Sequence, residues 1–389
     1  MNTVNNRNIS LLFRKFKKVK TPIIKNKSGK KFFSFNKRYE EFGDNLIADI
    51  IDFSGTIINR NIKLQIEFNI GKIKITDKLT YIIFECIIYH LLILGYPVQI
   101  KIIPESSIDT KGIENSPLKY LNLYHKQYEA NFKKAKERFF KQFDLCQSGR
   151  YRRWVSAYDS MAVSRLGSDL ISLLRNQGIE YSQDLILSLS STVSEMVGNA
   201  QEHGESDCLI DIDITHNFSH NKRGGKFGGF NVSILNFSNT YFGDKVKEKV
   251  VNNKIDKTPY IEVSKAYEIH KNFFCKSYYS EMFWIIASLQ DKVSGRKNAF
   301  SNGGKGCTDL IKSVQKYSHL DYCYLMSGRE TIHFKKEFLM IDSDGFIGFN
   351  KDGFLNSPPD DSIVGKSSVE FPGVAYNLNF ILEESNEEN

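Results

Sequence analysis

The stretch from Leu189 to Gly204 constrains the fold of this chain more than any other. Its apolar residues recur at helical spacing and would form one buried face: Leu189, Val193, Met196, Val197 and Ala200. Glu195, Asn199 and His203 are four residues apart, so they follow a neighbouring stripe of the same helix. One interpretation is a solvated polar face. The other is a functional site, because a carboxylate, an amide and an imidazole are aligned beside a buried surface.

Length and cysteine usage limit the class of protein. A chain of 389 residues is long enough for two domains with a core in each. The six cysteines lie far apart, without Cys-x-x-Cys or zinc-like spacing, which favours free thiols in a reducing compartment. No secretory signal opens the chain, and the apolar residues 80–95 are too few to span a bilayer. The sequence therefore predicts a cytoplasmic protein without a transmembrane segment.

The first 40 residues are predicted to form a basic arm. Residues 1–39 contain twelve Lys or Arg and no Asp or Glu, with phenylalanines between the cations. Such a segment can dock on nucleic acid, on an anionic surface or on an acidic partner. A solvated, partly disordered arm is the alternative.

Residues 41–115 are predicted to form a small α/β domain. Residues 62–68 alternate as a half-buried strand does, residues 72–75 form a second short strand, and residues 97–103 form a third. Between them, residues 78–94 form a mostly apolar helix that stops at Gly95. In pattern this unit resembles the STAS-type modules that precede ATPase domains in some bacterial proteins.

A helical linker over residues 116–150 is predicted to join the two halves. Residues 116–145 have the pattern of a long amphipathic helix with basic residues near its end. A second helix is expected over residues 160–176. Ser182 is a suitable N-cap for the Leu189–Gly204 helix, and Asp184 is well placed in its first turn.

Two strands follow this helix. Residues 208–215 alternate cleanly, and residues 219–229 are rich in Lys, Arg and Gly, as expected of a long hairpin turn. In the next strand one face carries Phe230, Val232, Ile234 and Asn236. Asn236 thus ends a buried face, where its amide needs either a backbone partner or a ligand.

A glycine-rich segment precedes a further helix. Gly303, Gly304 and Gly306 lead into an amphipathic pattern that carries Leu310, Ile311 and Val314. Glycines allow close backbone approach, and a helix N-terminus offers free N–H groups to a phosphate. The P-loop pattern is missing. A tight turn before a helix explains the segment equally well.

Taken in order, these motifs resemble the GHKL ATPases, the superfamily of gyrase, heat-shock chaperone, histidine-kinase and mismatch-repair nucleotide domains. The motifs are Glu-x-x-x-Asn-Ala-x-x-His at 195–203, the strand ending at Asn236, and Gly-Gly-x-Gly at 303–306. The match covers about residues 150–385, including the closing strands at 322–327, 330–335 and 373–382. The resemblance implies an ATP-binding domain over 151–385, with a Bergerat-type mixed sheet covered by helices.

The resemblance also assigns roles residue by residue. Asn199 would bind Mg²⁺, and Glu195 would be the base that activates the attacking water. The segment Gly303, Gly304, Lys305 and Gly306 would hold the phosphates. His203 would lie near the phosphates or cap its helix. Arg296 or Lys305 could neutralise phosphate charge, or each could be a surface cation.

The sequence departs from the family at three positions. Asn236 stands where the family usually has the Asp that binds the adenine amine, and Ser238 replaces a glycine two positions later. Val374 stands where Gly-Thr is common. An amide oxygen can still accept a hydrogen bond from the adenine amine, so Asn236 does not by itself exclude ATP. It does put affinity and base selectivity in question.

The sequence thus predicts an α/β protein of α+β sandwich type that binds ATP with Mg²⁺. We expect slow hydrolysis, with nucleotide state switching conformation or the binding of an unidentified protein partner, and we expect that a homodimer could form. No phosphoacceptor helix of the sensor-kinase type is visible. The alternatives are a Ser/Thr protein kinase of the anti-sigma type and a nucleotide-binding scaffold without turnover. Fold analogy alone does not choose among them.

Overall fold

The computed structural model describes residues 7–25, 28–106, 113, 116–147, 149–177, 181–218, 227–252, 258–290, 293, 306–318 and 323–383. For residues 106, 203, 216–218, 258, 306–308 and 383 only the backbone is described. The chain divides into two compact units, Asn8–Leu145 and Met1–Arg7 with Cys146–Asn389. Each unit combines a sheet with helices, so the predicted α+β class is confirmed. None of the helices in the described ranges is long and apolar enough to cross a lipid bilayer.

The unit Asn8–Leu145 has a four-stranded sheet in the order β1-β2-β3-β4. Its elements are β1 (Ile23–Lys25), β2 (Lys31–Phe35), α1 (Asp44–Arg60), β3 (Gln65–Ile75), α2 (Lys78–Ile93), β4 (Val98–Ser106) and α3 (Phe132–Lys141). Strands β2, β3 and β4 are parallel, whereas β1 is antiparallel to β2. The two short strands predicted over 62–75 form the single strand β3, whose register shifts at Gly71. Helix α2 is buried nearly all round, which explains its almost continuous apolar sequence.

The predicted basic arm is wrong as a separate segment. Residues Ile9–Phe13 form a 3₁₀ helix whose Ile9, Leu12 and Phe13 are buried, and β2 is an interior strand of the sheet. Phe33 and Phe35 are fully or almost fully buried on β2. The phenylalanines therefore belong to a core, while the cations between them remain at the surface.

The predicted helical linker is also wrong for most of its length. Helix α3 covers only Phe132–Lys141, preceded by a short 3₁₀ helix at Pro117–Tyr120. The reason lies at Asn122, whose amide pairs with the backbone of Ile102 through N–H···O (2.8 Å) and O···H–N (3.3 Å) contacts. These bonds and a bridge between Ile100 and Asn122 hold the segment beside β4 as a series of turns, and α3 then packs onto α2 through Phe139 and Phe140.

The second unit has a six-stranded sheet in the order β5-β6-β7-β8-β10-β9. Its strands are β5 (Asp144–Gln147), β6 (Arg150–Val155), β7 (Cys208–Phe218), β8 (Phe227–Phe237), β9 (Tyr324–His333) and β10 (Val364–Glu383). Its helices are α4 (Ala162–Arg175), α5 (Gln183–Gly204), α6 (Asp244–Val251), α7 (Thr258–His270), α8 (Ser280–Ser288) and α9 (Gly306–Tyr317). The pairings β6–β7, β7–β8, β8–β10 and β10–β9 are antiparallel, where a mixed sheet was expected.

Helix α5 lies where its sequence pattern predicts. The Ser182 hydroxyl accepts a hydrogen bond from the Leu185 N–H, so the predicted N-cap is confirmed. The apolar face is buried throughout in the core of this unit, with Met196 and Val197 fully enclosed. This face fixes the rotation of the helix, and with it the direction of the neighbouring polar stripe.

Candidate functional site

The polar stripe of α5 includes positions 188, 192, 195 and 199, which are spaced by four, three and four residues. Its first two members contact helix α9. The hydroxyl oxygens of Thr192 and Ser313 are 2.8 Å apart, and those of Ser188 and Ser313 are 3.4 Å apart. Glu195 and Asn199 continue the stripe beyond these contacts and are half-buried. The stripe that packs on α9 is therefore the one that carries the predicted carboxylate and amide.

Helix α9 runs antiparallel to α5. Ser313 lies against Ser188 and Thr192. Three residues later in α9, the charge of Asp184 at the start of α5 acts on Lys316, which gives the direction of α9 relative to α5. The pKa of Lys316 is raised mainly by its hydrogen bond with Tyr317, and the negative charge of Asp184 adds to the rise. At about 1.5 Å per residue, Gly306 lies about 10 Å from Ser313 along α9, toward the level of Asn199 on α5.

The N-terminus of α9 is thus directed to the Glu195–Asn199 part of the stripe. The first N–H groups of a helix have no partner within the helix, and they carry positive potential. This is a suitable place for an anion. The predicted phosphate residues Gly303, Gly304 and Lys305, as well as Arg296, lie outside the described residues, as does the side chain of His203; Gly306 begins α9.

Asn236 occupies the end of β8 on the helix-covered face of the sheet. It is 1% exposed, and its amide nitrogen donates to the carbonyl and to the hydroxyl of Ser206, each at 2.9 Å. Among the described residues its amide oxygen has no hydrogen-bond partner. That oxygen faces Gly204, the last residue of α5, where a β-carbon would collide with it. A buried acceptor without a donor is rare in native structures and asks for an explanation.

The two other positions at which the sequence differs from the GHKL pattern lie beside Asn236. Val374 is its direct partner on β10, so a side chain at 374 borders the amide. Ser238 is buried, its hydroxyl accepts a hydrogen bond from the Thr240 N–H (3.0 Å), and its own N–H donates to the Pro372 carbonyl (3.2 Å). Ser238 therefore stabilises the turn after β8.

The structure brings together three separate parts of the sequence. Asn199 and Gly204 lie on the last turns of α5, Gly204 contacts Asn236 at the end of β8, and the first turn of α9 is directed to the same end. A helix N-terminus, a carboxylate and a buried amide acceptor are chemically suited to a ligand with a phosphate group and a polar heterocycle.

A cavity that the sequence did not indicate lies beyond the end of β8. It has a volume of about 240 Å³ and is lined in part by Tyr241, Asp244, Glu281, Arg329 and Glu370. The Tyr241 hydroxyl donates to Glu370 at 2.7 Å, and burial is the main cause that raises the pKa of Asp244. These residues are spread over about 130 positions without any local pattern, so no sequence signal could have grouped them. Of the predicted site residues that the structure describes, none lines this cavity.

Metal ligands do not cluster in the described part of the chain: no three His, Cys, Asp or Glu side chains there could together hold a metal ion.

Comparisons with protein-family models, with curated proteins and with solved structures found no match.

Proposed function

We propose that the unit containing α5 and α9 binds ATP with Mg²⁺ and hydrolyses it slowly. The observation that carries the proposal is the antiparallel packing of α9 on α5, which directs a helix N-terminus to the stripe bearing Glu195 and Asn199. A triphosphate at this terminus would accept hydrogen bonds from the first N–H groups of α9. The order of motifs that resembles the GHKL ATPases supports the same assignment.

The residues present fit a magnesium nucleotide. Mg²⁺ bound to phosphates commonly keeps several waters and takes only one or two protein oxygens, so a cluster of protein ligands is not required. The Asn199 amide oxygen is the protein ligand we propose. When bound, Mg²⁺ would neutralise charge on the phosphate oxygens.

The unpartnered amide oxygen of Asn236 supports adenine as the base. It is a buried acceptor that can receive a hydrogen bond from the adenine amine. Because this oxygen faces Gly204, base binding would require the end of α5 and residues 204–206 to move away from β8. That displacement would link the nucleotide state to the conformation of the unit. The affinity for a protein partner, or for a second copy of the chain, would then depend on which nucleotide is bound.

Hydrolysis would use Glu195 as a general base. Water attacks the γ-phosphorus, its proton passes to the Glu195 carboxylate, and the bond to the bridging oxygen breaks to give ADP and phosphate. If a serine of a partner protein replaces water, the same groups would act as a Ser/Thr protein kinase.

A scaffold that binds nucleotide without turnover is the second candidate. It is favoured by Ser238 and Asn236, which make hydrogen bonds within the turn regions at the end of β8 where the family has Gly and Asp. Binding without hydrolysis would need the helix terminus and Asn199 but no base.

Thermal unfolding with ATP, ADP and GTP, each with and without Mg²⁺, tests the proposal. A ligand that binds only the folded state, at a free concentration a hundred times its Kd, raises the free energy of unfolding by about 2.7 kcal/mol. We expect such a shift for MgATP, and we expect Asn199→Ala to lose the Mg²⁺-dependent part of it. Ser191→Ala, an exposed change on the same helix, is the control. Equal shifts in Asn199→Ala and in the parent would refute the metal assignment; no shift in the parent would refute nucleotide binding.

A further inference from the structure

The charge of this chain is concentrated in one of its two units. The unit Asn8–Leu145 has 25 Lys and Arg against 14 Asp and Glu, a net charge of +11. The other unit has 28 against 31, a net charge of −3, and the two values sum to the +8 of the whole chain. A partner attracted by positive charge would therefore act on the first unit, outside the proposed nucleotide site.

Two basic segments of this unit flank the same end of α2. The first follows Phe13, whose ring stacks on the His90 ring with centroids 5.5 Å apart. The second is α3 and the residues just after it, where the rings of Phe140 and Phe143 lie 4.8 and 4.7 Å from that of Tyr89. Tyr89 and His90 are consecutive residues in the last turn and a half of α2. The two segments are thus anchored next to each other, although they are more than 100 positions apart in sequence.

Both segments point their cations to solvent. Seven of these side chains are exposed and have no carboxylate partner among the described residues: Arg14, Lys17, Lys18, Lys20, Lys133, Lys134 and Lys141. We call these seven residues the basic surface. Arg138 in α3 is within 3.6 Å of Glu129 and is not counted.

The aromatic residues of these segments indicate which polyanion fits. Phe13, Phe139 and Phe143 are buried, and Phe16 and Phe140 are half-buried, so the rings pack inside the unit. Stacking on unpaired bases needs exposed aromatic rings, and anchoring in a membrane interface needs exposed apolar groups. Within residues 14–20 and 132–145 no aromatic or large apolar side chain is exposed, so these segments offer charge alone, which suits the regularly spaced phosphates of a duplex.

We propose that the basic surface binds the phosphate backbone of double-stranded nucleic acid without sequence preference. If all seven cations contacted phosphates, the slope of log K against log salt concentration would be about −6. We expect a slope between about −3 and −6, since surface cations seldom all engage at once.

The test uses the full chain and a fluorescent 20-base-pair duplex of random sequence, titrated at several salt concentrations. Deleting residues 1–38 would also remove β2, so charge-neutralising substitutions are the appropriate change. The first variant alters the segment after Phe13, as Lys17→Gln, Lys18→Gln and Lys20→Gln. The second alters the α3 segment, as Lys133→Gln, Lys134→Gln and Lys141→Gln. The control removes the same charge from exposed lysines of the other unit that also have no carboxylate partner among the described residues, as Lys276→Gln, Lys312→Gln and Lys351→Gln.

Each of the two variants should weaken duplex binding by at least tenfold at low salt and reduce the steepness of the salt slope, while the control changes affinity by less than about threefold. Equal losses in the variants and the control would show that net charge alone acts, and would overturn the proposal. Stronger binding to vesicles of phosphatidylserine and phosphatidylcholine than to the duplex would also overturn it. Melting temperatures confirm that the variants fold. Asn199→Ala should bind the duplex as the parent does, so this result is independent of the nucleotide proposal.

Discussion

Gly204 at the end of α5 and Asn236 at the end of β8 fit together only because residue 204 has no side chain. A β-carbon there would overlap the Asn236 amide oxygen, and the amide cannot turn away without breaking its two hydrogen bonds to Ser206. The contact fixes the distance between the helix that carries Glu195 and Asn199 and the strand that carries the buried acceptor.

Gly204→Ala should therefore destabilise the protein by about 1–3 kcal/mol, the usual cost of overpacking a closed site. Helix propensity alone would give the opposite sign, since Ala is favoured over Gly by about 1 kcal/mol within helices. Gly198→Ala is the matched control, because a β-carbon at 198 in the same helix meets no atom within 4 Å. Urea unfolding of both variants measures the difference. If Gly204→Ala is more stable than the parent, the end of α5 can shift away from Asn236 at little cost in free energy.

The orphaned oxygen of Asn236 leads to a prediction about base selectivity. If it accepts from the adenine amine, the parent should prefer ATP over inosine triphosphate, which has no amine, by about tenfold or more. Asn236→Ala should remove this preference, and it should also lower stability by about 1–3 kcal/mol because Ser206 loses its donor. Competition binding of the two nucleotides measures the ratio. If the variant keeps the parental preference for ATP, Asn236 does not contact the adenine base.

Local patterns predicted the parts of the site that depend on one element at a time. The 3.6-residue period and the Ser182 cap identified α5, and the alternation before Asn236 identified its buried face on β8. These local patterns could not predict which helices and strands pack against each other. The antiparallel packing of α9 on α5 depends on Ser313 meeting Thr192, and these residues are 121 positions apart.

The two wrong predictions in the first unit have the same origin. Composition marked residues 1–39 as a basic arm, but the phenylalanines of β2 pair in parallel with β3, a contact that becomes visible only once the sheet is assembled. Helical periodicity over 116–145 was overridden at Asn122 by side-chain bonds to β4. In both places a tertiary contact outweighs a local preference that is worth only tenths of a kcal/mol per residue.

Protonation of His90 is expected to make the stability of the first unit depend on pH. Burial lowers the pKa of His90 from 6.5 to about 4, and its ring stacks on Phe13. The unfolded chain therefore binds a proton between pH 6.5 and 4 that the folded chain does not. Stability from the neutral ring is fully present above pH 6.5 and is lost as the pH falls toward 4, by on the order of 3 kcal/mol.

His90→Phe keeps an aromatic ring against Phe13 but cannot take up a proton. Calorimetric melting of the parent and the variant at pH 8, 6 and 4.5 should show similar stability at pH 8 and a smaller loss in the variant on acidification. His270, whose pKa is also lowered chiefly by burial, keeps its own contribution in both proteins. Parallel pH profiles for the two proteins would mean that His90 is not the group that titrates.

Substitution of Glu195 distinguishes an ATPase from a nucleotide-binding scaffold. It lies three residues beyond Thr192 on the stripe that faces α9, so its carboxylate is on the side from which a phosphate at the α9 N-terminus would be approached. Glutamine at 195 keeps the size and hydrogen bonding of the side chain but cannot accept a proton. For a general base, Glu195→Gln should keep ATP affinity within a few-fold while kcat falls by about a hundredfold or more.

The control for this change is Glu202→Gln, an exposed carboxylate two turns further along α5, which should leave turnover unaltered. ADP release from the purified protein measures hydrolysis, and transfer of labelled γ-phosphate to a candidate partner separates a kinase from a hydrolase. If Glu195 is only structural, Glu195→Gln will lower stability and affinity together, without a selective loss of rate. A parent protein that binds ATP and never releases ADP, even with partners present, would decide for the scaffold, since the helix terminus and Asn199 would then act without a base.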